Sequence, residues 1–154
     1  MPRIDARLDE LGIRLPDAPK PVAAYVPSVH AQGLIFISGQ IPLKEGSLMA
    51  TGTVPSETAV DQAVSAARQC AINALAVLKS SLEGDLDRVK RIVRIGVFVA
   101  SDPGFTDQPL VANGASELML EVFGDAGRHA RAAVGSVALP LNASVEVELV
   151  AEVD

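Results

Sequence analysis

Between Val60 and Leu82 the apolar residues return every three or four positions, at Val60, Ala63, Val64, Ala67, Ala71, Ala74, Leu75, Leu78 and Leu82. This period predicts one amphipathic helix of about six turns, with Asp61, Ser65, Arg68, Gln69, Asn73 and Lys79 off the stripe. Alanine dominates the stripe, so the helix backbone can lie close to its neighbour, and a sheet is the flat surface it needs. Ser56 is expected as the N-cap, Glu57 faces the positive end of the dipole, and Gly84-Asp85 supplies the stop.

The rest of the chain provides that sheet. Residues 23–30 and 33–38 read as a hairpin turning at Ala31-Gln32-Gly33, and Leu34-Ile-Phe-Ile37 is rich in strand formers. Ser38-Gly39-Gln40 follows directly, where a glycine after a buried strand signals a bulge or a close backbone approach. Residues 89–100 alternate, with Val89, Val93, Ile95, Val97 and Val99 on one face and Lys90, Ile92, Arg94, Gly96 and Phe98 on the other. A second helix is expected over 107–123, broken by Gly124 and Gly127. Residues 131–139 and 144–153 read as a closing hairpin around Leu141-Asn142. Ahead of all this, Ile4, Leu8 and Leu11 mark a short helix ending at Gly12, and three prolines make residues 15–21 an extended connector. The order of elements predicts one α+β domain over residues 1–154, with both longer helices on one face of a mixed sheet.

The final strand alternates most cleanly, with Val145, Val147, Leu149, Ala151 and Val153 on one face and Ser144, Glu146, Glu148 and Glu152 on the other. If the valine face meets the helices, the glutamates share the open face with Ile92 and Phe98. An apolar patch there predicts cover by another copy, hence a homo-oligomer with small-molecule clefts between subunits.

Several function classes are disfavoured. A formal charge of −6 opposes sequence-independent attraction to nucleic acid, and 3% aromatics without tryptophan supply little stacking surface. Cys70 is the single cysteine and reads as a core thiol, and His30 and His129 lack the spaced partners of a metal site. No apolar run reaches membrane-spanning or signal-peptide length, which gives the expectation of a soluble cytoplasmic protein.

The sharpest candidates are Arg131, whose planar fork suits a small carboxylate, and Glu146, a possible general base that orients water. Each has a bland alternative as a solvated side chain. In the expected hairpin Arg131 faces about residue 152, six residues or roughly 20 Å from Glu146, so one ligand reaches both only across a chain boundary or a marked bulge. Tyr25 is a hydroxyl donor or a packing residue, and Asn113 a ligand-orienting amide or a polar helix face. Ser38 has no histidine at motif spacing and is no nucleophile.

Ile35-Phe-Ile-Ser38-Gly-Gln-Ile-Pro42, Arg94-Ile-Gly-Val-Phe-Val99, Ala130-Arg131-Ala-Ala-Val134, Leu139-Pro140 and Val145-Glu146-Val-Glu148 together resemble the reactive intermediate deaminase (RidA/YjgF) family. The resemblance spans about residues 21–153. It implies a chorismate-mutase-like fold, a homotrimer with clefts at its interfaces, and cofactor-free hydrolysis of 2-imino acids and their enamines to 2-keto acids and ammonia. It further implies that Arg131 grips the substrate carboxylate, that Glu146 positions water, and that Tyr25, Ser38 and Asn113 line the cleft. Ala133 stands where many members have cysteine and a water-holding carbonyl, and His129 where proline is frequent. About 20 residues extend the chain ahead of the common part, as in a longer branch. The alternatives are a non-catalytic trimer that binds keto or amino acids, and an endoribonuclease or translation inhibitor.

Overall fold

The structure is a computed structural model that describes residues 1–20 and 24–154. In chain order the elements are α1 (Arg3–Glu10), β1 (Ser28–Ala31), β2 (Leu34–Gln40), β3 (Leu43–Lys44), β4 (Ser47–Leu48), α2 (Val60–Ser81), β5 (Val89–Ala100), α3 (Gln108–Phe123), β6 (Ala130–Ser136) and β7 (Val145–Val153). Ala23, where the first strand is expected to start, lies outside the described residues.

The main sheet has five strands in the order β1-β2-β7-β5-β6. Strand β7 runs antiparallel to both β2 and β5, and β6 runs parallel to β5. Hence β2, β5 and β6 point the same way; α2 crosses from β2 over the position of β7 to β5, and α3 is the crossover between the parallel neighbours β5 and β6. The closing hairpin of the sequence reading does not form. Strand β5 lies between β6 and β7, and the link between them is a 3-10 turn, Pro140–Asn142. Short-range turn chemistry suggested a hairpin, but a helix long enough to cross the sheet favours the parallel partner.

Both long helices pack on one face of this sheet, as expected. Ala63, Ala66, Ala67, Cys70, Ala71 and Ala74 of α2 are buried against Val145, Val147 and Leu149 of β7 and the neighbouring core. Where α2 meets α3, a Cβ on Gly114 would overlap the Val64 carbonyl, so the helices touch backbone to backbone. Helix α1 is tied to the same layer from its start. Asp87 Oδ2 and Oδ1 accept the Arg3 and Ile4 N–H groups at 2.7 and 2.8 Å, and Ile4 and Leu8 are buried. Those amide donors stabilise the Asp87 carboxylate and lower its pKa, the Ile4 contact foremost.

Two local expectations change. Helix α2 begins at Val60, and Ser56 instead donates its hydroxyl to Asp102 Oδ1 at 2.9 Å and its N–H to Oδ2 at 2.8 Å. In β5 the register shifts between Val89 and Arg91 and again between Ile92 and Arg94. These irregularities carry Ile92 into the core at 0% exposure and leave Val93 half-buried, the reverse of strict alternation. Phe98 is half-buried on the open face with Val134 and Glu146 beside it on the neighbouring strands, and Phe36 and Val150 share the row of Arg94 on the same face.

Candidate functional site

The candidate residues separate into two half-sites. Arg131 pairs with Ile95 and Ile95 with Leu149, both core residues, so Arg131 projects on the helix side of edge strand β6. Glu146 pairs with Phe98 on the open side. The two groups therefore lie on opposite faces, two strands apart and three residues along, about 10 Å in each direction. The sequence argument that they cannot share a ligand within one chain holds, but the reason is the sheet between them and not six residues of hairpin.

At the β6 edge, Arg131 is exposed and aimed at α3. Its Nη1 donates to Asn113 Oδ1 at 2.8 Å and to Ser116 Oγ at 3.1 Å. Asn113 and Ser116 are one helical turn apart and face the strand together. With Nη1 so engaged, the side-on pair formed by Nε and Nη2 has no partner among the described residues. That pair is the geometry that accepts both oxygens of a carboxylate. Ala133, two residues on, is half-buried and packs against the core.

The second half-site is built by the bulge in β2. The β2–β7 register slips between Ile37 and Gln40, at Ser38-Gly39, where the sequence signals an irregularity. A Cβ on Gly39 would overlap Glu146 Oε1 and come within 2.9 Å of its Cδ, so glycine is what lets the carboxylate lie on the strand. Ser38 does not act as a free hydroxyl: its Oγ donates to the Val26 carbonyl at 2.7 Å and fixes the approach to β1. Tyr25 and Glu146 line the same cleft, of about 470 Å³, with Gly39, Gln40 and Asn73. Pro16, Asp17, Pro19 and Lys20 of the proline-rich connector form another of its sides.

Burial raises the pKa of Glu146, and the nearby charge of Glu148 raises it further. A carboxylate so placed is a better base than a solvated one. Glu148 itself is engaged by Arg94 Nη1 at 3.2 Å. Beneath Glu146, Cys70 is fully buried and donates to the Val145 carbonyl at 3.6 Å, and burial pushes its thiol pKa well up. It is a core residue, as expected.

Two contributors escape a reading by periodicity. Asn73, off the apolar stripe in sequence, is buried, and its Nδ2 donates to the Ile41 and Leu43 carbonyls, each at 3.0 Å. It pins the loop after β2 that walls the cleft. The connector residues have no periodic signal at all, and only folding brings them beside Glu146. Among the described residues no helix is long and apolar enough to cross a membrane.

Residues 5–153 match the family described as "YjgF/chorismate_mutase-like, putative endoribonuclease". The chain is 45% identical to protein TCP17 of Trypanosoma cruzi, over 99% of this chain and 95% of that protein. It is 27% identical to a 2-iminobutanoate/2-iminopropanoate deaminase of Dermatophagoides farinae, over 92% and 95% of the two chains. The solved structure of Atu1372 from Agrobacterium tumefaciens, a protein of unknown function, superposes with a TM-score of 0.92 at 47% identity, covering 98% of this chain and 92% of that one. The fold, the motifs and these likenesses agree: the chain belongs to the YjgF/chorismate mutase-like family.

Proposed function

We propose that the protein hydrolyses small 2-imino acids and their enamines to 2-keto acids and ammonia, in clefts between the subunits of a homotrimer. The observation that carries this reading is the placement of Arg131 and Glu146 in two half-sites on opposite faces of the sheet. Neither half is complete in one chain, and the open face retains an exposed apolar patch, with Phe36 at 46% and Val134 at 48% exposure. A neighbouring copy that covers this face brings its own β6 edge toward Glu146.

In such a cleft the side-on fork of Arg131 holds the substrate carboxylate, and Asn113 holds the fork. Glu146 of the neighbouring copy takes a proton from water as the oxygen attacks the imine carbon. That proton passes to the imine nitrogen to give a carbinolamine; the carbinolamine hydroxyl then yields its own proton through Glu146 to the amino nitrogen as the C–N bond breaks, so ammonia leaves and the keto group forms. Proximity and orientation supply most of the acceleration. The deaminase name of the Dermatophagoides relative supports this substrate class.

The test is hydrolysis of freshly generated 2-iminopropanoate and 2-iminobutanoate by the wild type, Arg131→Ala and Glu146→Gln, and by trimers mixed from the two variants. Activity lost in each variant and partly regained in the mixture is the expected result, because mixing rebuilds whole sites. An inactive wild type that still binds pyruvate leaves the non-catalytic ligand-binding trimer as the account.

A further inference from the structure

Arg131 sits at an exposed strand edge, where a long side chain with many rotamers has to be ordered before it can grip a ligand in one geometry. A directed chain of hydrogen bonds does this ordering. Its last link is His129, whose Nδ1 is 2.6 Å from the Gly127 carbonyl. A carbonyl only accepts, so Nδ1 carries the proton, and Nε2 of the neutral ring presents a lone pair. In that neutral Nδ1–H tautomer Ser116 Oγ, 2.8 Å from Nε2, is the donor of the contact. The Ser116 oxygen is then left with lone pairs only, and one of them receives Arg131 Nη1 at 3.1 Å.

The anchor at the far end has no slack. Gly127 is buried, and a Cβ there would overlap the Met119 carbonyl and stand 3.0 Å from Leu120 N, so its turn is pressed onto the backbone of α3. The chain Arg131, Ser116, His129, Gly127 thus begins on an edge strand and ends on rigid backbone.

We propose that Ser116 and His129 are positioning residues that orient the Arg131 fork for a small carboxylate. The inference rests on the reading of Arg131 as the carboxylate anchor. Asn113 fixes one hydrogen of Nη1 and the serine–histidine pair fixes the other, which turns the Nε/Nη2 edge outward toward the ligand.

The experiment compares wild type, Ser116→Ala, Ser116→Thr and His129→Phe by ¹⁵N NMR of the arginine side chains, with pyruvate titrated into each. The Arg131 signals are identified by their loss in Arg131→Lys. The expected result is hindered guanidinium rotation for Arg131 in the wild type and Ser116→Thr, and clearly faster rotation in Ser116→Ala and His129→Phe, where only the Asn113 bond remains. Pyruvate Kd should rise roughly three- to tenfold in the latter two and recover in Ser116→Thr, the size expected when one side chain must be ordered on binding. Unchanged Arg131 signals and Kd across all four proteins overturn the inference. A wild type that shows the ordered Arg131, loses it in Ser116→Ala, yet binds no pyruvate overturns the carboxylate reading and leaves the positioning chain standing.

Discussion

The Arg131 edge and the Glu146 bulge solve opposite problems with the same sheet. At the edge, a cation that is always charged stays exposed, and polar partners on α3 restrain it without desolvating it. At the bulge, a titratable carboxylate is half withdrawn from water beside a second acid, so its proton affinity rises. The edge costs little stability because its charge keeps solvent. The bulge gives up some stability, because an ionised Glu146 is poorly solvated there.

The largest expected break in that contrast is Arg131→Ala. Losing two charge-assisted hydrogen bonds, at roughly 1.5 to 3 kcal/mol each, should lower kcat/KM for 2-iminobutanoate by about 100-fold or more. The melting temperature should stay near wild type, since the side chain is exposed. A large fall in Tm with unchanged kinetics is the opposite outcome, and it would make Arg131 a structural residue.

Gly39→Ala is expected to come next. The three atoms nearest the added methyl all belong to the flexible Glu146 side chain, so the fold is expected to survive while the carboxylate moves. A loss of about tenfold or more in kcat is expected from misplacing a reacting group by about an ångström. Steady-state kinetics beside circular dichroism read both parts.

Glu148→Gln sharpens the comparison through pH. It removes the smaller of the two influences that raise the Glu146 pKa, so the acid limb of the kcat/KM profile should move to lower pH while burial keeps it above that of an ordinary carboxylate. A limb that does not move assigns the titration to another group.

The smallest effect is on stability. The folded pKa of Glu146 is raised above its unfolded value, so the folded state binds this proton more tightly and stability falls as pH rises through the interval between the two values. Glu146→Gln should therefore raise Tm by about 1–2 °C at pH 8 and bring no gain below the ordinary carboxylate range. Thermal melts at pH 3 and pH 8 check it.

Much of this contrast was legible from local pattern. The alanine stripe of α2 and the alternation of β7 are read directly, because each element buries one face and its period is fixed by backbone geometry. The Ser38-Gly39 irregularity was legible as a site of close approach but not as the seat of Glu146. The partner of β6 was not legible. Leu141-Asn142 has the turn character of a hairpin, and both residues do adopt positive φ, at 56° and 62°, yet the strands they join are separated by β5. Register shifts in β5 likewise hide in sequence, and with them the burial of Ile92.

By itself the sequence determined which residues are the candidates for chemistry, the apolar faces of α2 and β7, and the α+β class, because composition and period act over a few residues. Only the tertiary structure decided that Arg131 and Glu146 stand on opposite faces, that Asn113 and Ser116 restrain the arginine, and that the connector walls the Glu146 cleft. Those outcomes depend on strand order, and strand order is set by long-range packing and crossover handedness, which no local window of residues contains.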